Sequence, residues 1–169
     1  MSRILSKGVV LLSLFLFACT QPQVIHHSFQ SVNTNDWDLK DSLFFNTPIE
    51  QRGSLLVEIE LRHLTNYPYT NVPLSVSYNL NDSINFITDT ISIEVADNEG
   101  HWKGVGLGAI FQKTDTLLLK KKQKPGNYIF KITHLIQEKP VLGIHDIGIK
   151  LSVLKPPNTR SVNTQKDEK

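Results

Sequence analysis

Apolar and polar residues alternate along most of this chain with a period of two. The clearest case runs from Ser54 to His63, where Leu55, Val57, Ile59 and Leu61 face one way and Glu58, Glu60 and Arg62 the other. That period places one side of an extended strand in a core and the other toward water. Leu74, Val76, Tyr78 and Leu80 repeat it, as do Ile91, Ile93 and Val95 against Ser92 and Glu94. Tyr128, Phe130 and Ile132 alternate with Lys131 and Thr133; Ile147, Ile149, Leu151 and Val153 alternate with Gly148, Lys150 and Ser152. Val24 to Gln30 is expected to open the series. Trp37 to Phe45 contains an aromatic-rich segment, and Thr116 to Lys120 reads as a leucine-rich strand. Turn-forming clusters separate these runs: Asn66-Tyr67-Pro68, Asn81-Asp82-Ser83, Asp97-Asn98-Glu99-Gly100 and Pro125-Gly126-Asn127. Seven or eight strands without a long helical stretch predict an all-β fold. One polar face per strand predicts an antiparallel β-sandwich, jelly-roll-like or immunoglobulin-like, in a single domain.

The first residues follow a different pattern. Arg3 and Lys7 precede the apolar run from Gly8 to Phe17, and Leu16-Phe17-Ala18-Cys19 closes it. A charged start, a short apolar middle and a small-residue cleavage site make a secretory signal. Cysteine directly after the cut is the lipobox of bacterial lipoproteins, so Cys19 is expected to carry lipid. The run is too short to cross a hydrocarbon core of about 30 Å as a helix. Acyl chains, at roughly 0.8 kcal/mol per buried CH₂, anchor stably once two are present. The expected organisation is a signal peptide over 1–18, a lipidated tether over 19–23, the sandwich over 24–154 and a disordered polar tail over 155–169. The tail has too little apolar surface to offset its ordering entropy.

Composition changes the picture in two ways. The chain carries 18 basic and 16 acidic residues. Arg3 and Lys7 leave with the signal, so the mature protein is balanced and offers no electrostatic case for nucleic acid or an anionic lipid surface. Cys19 is the only cysteine, so no internal disulfide forms and packing must hold the fold.

Candidate chemistry is sparse. Gly104-Val105-Gly106-Leu107-Gly108 lacks the spacing and the flanking strand and helix of a nucleotide loop. It reads as a bend or bulge passing close to another backbone. The histidines at 26, 27, 63, 101, 134 and 145 show no metal-binding helical pair and no carboxylate at ligand spacing. No G-x-S-x-G occurs, and the one thiol is reserved for lipid. No cofactor, metal or catalytic residue is expected. Lys120-Lys121-Lys122-Gln123-Lys124 is a solvated turn or a docking patch for an acidic partner. Trp37, Tyr67, Tyr69, Phe86 and Trp102 lie in or beside turns. They are either core or, if exposed in one groove, a carbohydrate-binding or protein-contact surface.

The sequence resembles the gliding-motility lipoproteins of Bacteroidota, type H (GldH). The likeness rests on Trp37 with Leu43-Phe44-Phe45, and on Leu61-Arg62 followed by Asn66-Tyr67-Pro68-Tyr69-Thr70-Asn71. It rests further on Gly100-His101-Trp102-Lys103-Gly104-Val105-Gly106, Pro125-Gly126-Asn127-Tyr128-Ile129-Phe130 and Leu142-Gly143-Ile144-His145-Asp146-Ile147-Gly148. The resemblance implies a non-enzymatic cell-envelope lipoprotein, held to the membrane by Cys19 and associated with motility and adhesin-secretion proteins. Trp37, Arg62, Asn66, Tyr67, Tyr69 and Trp102 then form a contact or structural motif. Thr20 is not the aspartate that retains some lipoproteins at the inner membrane, and Thr20 to Gln23 lacks the acidic run linked to surface export in this phylum. The expected location is the periplasmic face of the outer membrane.

Overall fold

The computed structural model describes residues 22–80 and 84–154. Cys19, the signal segment, the start of the tether and the tail from residue 155 lie outside them. Among the described residues are nine strands: β1 (Gln23–Ser31), β2 (Leu43–Ile49), β3 (Gly53–Leu64), β4 (Asn71–Tyr78), β5 (Ile87–Glu94), β6 (Val105–Leu107), β7 (Ile110–Gln123), β8 (Gly126–His134) and β9 (Ile144–Leu154). They form two antiparallel sheets, β1-β9-β3-β7-β6 and β2-β8-β4-β5. No helix among the described residues is long and apolar enough to cross a membrane.

Successive strands from β1 to β4 alternate between the sheets, and each early strand pairs with a late one: β1 with β9, β2 with β8, β3 with β7. A long hairpin rolled up on itself gives this order, and it is the jelly roll. In the immunoglobulin-like alternative the first two strands pair within one sheet; here β1 and β2 lie in different sheets and β1 pairs with β9, which rules it out. The predicted all-β sandwich is present.

Alternation explains the core. Leu55, Val57, Ile59 and Leu61 of β3 pair across to Ile149, Leu151 and their neighbours in β9, all buried against Leu74, Val76, Phe130 and Ile132 of the other sheet. Three elements depart from the expected pattern. Trp37 sits in the loop before β2, which starts only at Leu43. The leucine-rich strand is far longer than Thr116 to Lys120, because a register shift opposite Val57/Glu58 interrupts its period. The glycine run forms the short β6 and its turn into β7. The expected close approach to another backbone holds: a Cβ on Gly104 would lie 2.2 Å from the carbonyl oxygen of Gln112.

Two histidines are packed into this core. His134 accepts the Ile136 N–H at Nδ1 (3.2 Å) and faces the Trp37 carbonyl through Nε2 (2.9 Å), so its hydrogen bonds assign a neutral ring with the proton on Nε2. His63 meets the Leu64 carbonyl through Nδ1 (3.2 Å), and its Nε2 is buried without a partner. Burial lowers the pKa of both below the ordinary 6.5, and that of His26 too. The unfolded chain therefore binds protons more readily than the native one below about pH 6.5. Stability present above that pH is expected to fall on acidification from 7.5 to 5.5, read as a falling urea midpoint. A non-titrating His63→Gln variant should flatten this slope; an unchanged midpoint across the range would contradict it.

Candidate functional site

The outer side of the five-stranded sheet carries a continuous set of polar contacts centred on Arg62. The residue lies on β3 with its aliphatic stem pointing away from the core, and three neighbouring strands hold its head. The guanidinium carbon sits 3.8 Å from the ring centroid of Phe29 on β1. Nε donates to Gln112 Oε1 on β7 (2.9 Å), and Nη1 donates to Asp146 Oδ2 on β9 (3.5 Å). Phe29 can lie flat there because its cross-strand partner is Gly148; a Cβ on that glycine would come within 2.6 Å of the ring. One glycine thus seats an aromatic ring, and the ring supports a cation.

Asp146 is almost fully buried and accepts from Ser31 Oγ (2.7 Å) and His145 Nδ1 (2.8 Å). Burial alone raises its pKa. The hydrogen bonds from Ser31, His145 and Arg62 and the charge of His145 outweigh that and hold it below the ordinary carboxylate value. The group is therefore ionised at neutral pH and neutralises Arg62. Glu60, expected to face water, does point outward but is 3% exposed. His27 Nε2 (2.8 Å) and Gln112 Nε2 (3.3 Å) cover its Oε2. Gln112 links the halves: its amide nitrogen serves Glu60 while its carbonyl oxygen serves Arg62.

The β6–β7 hairpin adds an apolar wall. Val105 pairs with Gln112 and Leu107 with Ile110, which puts both side chains on the same outer side as Arg62. They are 78% and 87% exposed. Together with Ile110, Gln112, His145, Asp146 and Arg62 they line a recess of about 590 Å³. Ser31 bonds to the Asp146 carboxylate rather than to the imidazole, so the nucleophile–base–carboxylate relay of acyl transfer is not assembled here.

The residues singled out in the sequence divide. Arg62 is the centre of the recess. Trp37 and Tyr67 are buried, the indole Nε1 donating to the Asp41 carbonyl (2.8 Å) and the phenol to the Asn71 carbonyl (2.7 Å). Tyr69 is half-buried with its edge toward Tyr67, and Trp102 packs on His63 and Phe111. Asn66 is exposed in the loop that crosses Gly143. The aromatic residues pin loops onto the core and do not line a common groove, so a carbohydrate platform of Trp37, Tyr67, Tyr69 and Trp102 is not built. Sequence reasoning missed Phe29, Gln112 and the outward pair Val105 and Leu107. Only their strand partners reveal them. It also expected no carboxylate near a histidine at ligand spacing, whereas Asp97, Glu99 and His101 bring ligand atoms within 4.8 Å of one another on a surface turn. The Asp97 carboxylate there accepts the Glu99 and His101 backbone N–H groups, ordinary turn chemistry.

Comparison with known proteins gives three findings. No curated protein matches the chain. A solved structure, the Eiger TNF of S. frugiperda, is similar at 11% identity and a TM-score of 0.35, over 80% of this chain and 89% of that one. The family model of the GldH lipoprotein matches residues 24–151. That stretch includes β2 to β8 in full, Arg62 and every other residue lining the recess. The chain belongs to the GldH lipoprotein family.

Proposed function

We propose that this protein is a lipid-anchored, non-catalytic accessory component of a gliding-motility and secretion-associated assembly, held through Cys19 at the periplasmic face of the outer membrane. Its action is positional: lipid fixes the domain, and the recess around Arg62 receives an envelope protein. The observation that carries this reading is the pairing of two strongly exposed apolar side chains, Val105 and Leu107, with a rigidly held arginine. An apolar anchor on the partner, with a neutral hydrogen-bonding group beside it, fits that combination. Arginine is enriched among the residues that dominate protein interfaces, and exposed apolar side chains rimmed by polar ones mark interaction surfaces.

Leu107→Asp is the direct test. The side chain is solvent-facing, so the thermal midpoint should stay within about 2 °C of wild type, as for most surface changes. Burying a leucine at an interface contributes about 1.5–3 kcal/mol, so crosslinking to the envelope partner should drop roughly 10- to 100-fold. Deleting the gene should abolish spreading and alter the secreted-protein profile, and the variant should reproduce both defects. Normal spreading and secretion in the deletion strain would overturn the reading.

A further inference from the structure

The balanced total charge of the mature chain conceals a strong asymmetry along the strands. The start of β1, the end of β9, the β2–β3 turn and the β7–β8 turn meet at one end of the sandwich: Gln23 pairs with Val153, Ser54 with Leu154 and Gly53 with Gln123. Arg52, Lys120, Lys122 and Lys124 are grouped there, and Glu50 is the one acid among the described residues of those turns. At the start of the β4–β5 loop, Leu80 lies beside them, its carbonyl accepting from Gln123 Nε2 (3.2 Å). From that loop Ile84 is 79% exposed and Phe86 51%. The opposite end is acidic, with Asp36, Asp38, Asp41, Asp97, Glu99 and Glu138 in its loops against Lys40, Lys103 and Lys139.

We propose that the basic end is a membrane seat: it rests on the anionic headgroups of the leaflet that holds the anchor, with Ile84 and Phe86 entering the headgroup–acyl boundary. This rests on the reading of Cys19 as the lipidated residue. Strand β1 begins at Gln23, the last residue of the expected tether. At about 3.3–3.6 Å per residue, the step from Cys19 to Gln23 spans at most about 14 Å. The basic end is thus kept within about two Debye lengths of the surface, each about 8 Å at physiological salt, close enough for cationic groups to feel an anionic leaflet. Basic side chains around exposed apolar ones are the composition that binds a lipid interface. An acidic protein would leave Ile84 and Phe86 without a role. Seated this way, the domain directs its acidic end, and the Arg62 recess near it, away from the bilayer.

The test uses the full lipidated protein reconstituted into vesicles of phosphatidylcholine alone or with 30% phosphatidylglycerol. Co-flotation with the neutral vesicles reads the anchor by itself. Amine acylation followed by peptide mass spectrometry reads the seat. On anionic vesicles Lys122 and Lys124 should be acylated at least fivefold more slowly than on neutral ones, and 0.5 M salt should reverse part of that protection. Lys40, at the far end, should react equally on both. An Ile84→Glu, Phe86→Glu double variant should lose most of the protection while still co-floating. Equal acylation of Lys122 and Lys124 on the two vesicle types would overturn the proposal even where co-flotation upholds the anchor, as would protection that appears only when an envelope protein is added.

Discussion

Trp37→Ala is expected to lower the free energy of unfolding by about 3–5 kcal/mol, the range for large aromatic truncations in cores. Trp37 is 1% exposed although it belongs to no strand. Its ring packs against His134, with centroids 4.9 Å apart, and its indole N–H closes the loop onto the Asp41 carbonyl. Its backbone is held as well, the N–H donating to the Val141 carbonyl (3.3 Å) and the carbonyl accepting from His134. Truncation therefore opens a cavity, orphans the Asp41 carbonyl and frees the loop over 32–42. Domains of this kind have only about 5–15 kcal/mol of net stability, so the midpoint in urea should fall steeply. Trp37→Phe keeps most of the packing and loses the hydrogen bond, and should cost clearly less. A Trp37→Ala protein unfolding at the wild-type midpoint would show that the loop does not seal this end of the sandwich.

Gly104→Ala should act on the recess more than on the core. The glycine has φ of 100°, a region that side-chain-bearing residues avoid, and its missing Cβ is the gap through which the Gln112 carbonyl passes. Strain of this kind is worth about 1–3 kcal/mol, and a 2.2 Å approach to backbone leaves no flexible atom to move aside. The β6 strand, joined to β7 by three residue pairs, must swing outward. It carries Val105 and Leu107 with it and releases the Gln112 side that orients Arg62. Partner crosslinking should fall at least as far as in Leu107→Asp, and amide exchange should quicken over 105–112 while β3, β8 and β9 stay protected. Gly100→Ala provides the control. Its φ is also positive, at 85°, but nothing lies within 4 Å of the added methyl, so strain without collision should leave binding largely intact. Equal loss in both variants would show that backbone strain, and not the contact with Gln112, governs the hairpin.

Period-two alternation identified the strands that face the core on one side only, from Leu55 to Leu61 and from Tyr128 to Ile132, because a half-buried strand records its two environments in its own residues. The signal failed where neighbours distant in sequence decide the outcome. Glu60 points outward as read, yet it is buried because His27 and Gln112 close over it; neither residue is near it in the chain. The long β7 was legible only in part, since the register shift opposite Val57/Glu58 breaks its alternation. Trp37 and Tyr67 could not be told from exposed contact rings, because loop composition says nothing about which loop folds back over a core. Total charge misled in the same manner: balance along the chain said nothing of its separation in space. The quoted segments around Arg62, Gly104 and Asp146 meet in one recess, while the outward pair on β6 became visible only once pairing with β7 was known.

The closing of the rolled hairpin by its two terminal strands has a mechanical consequence. A pull exerted between the N-terminal attachment and the recess runs nearly along the strand axes. β1 is held to β9 by eight register pairs, from Gln23 with Val153 to Ser31 with Asp146. Tension along that axis stretches their hydrogen bonds together in shear instead of unzipping them one at a time. A domain loaded along this axis gains resistance from the geometry of β1 and β9 without a single covalent crosslink.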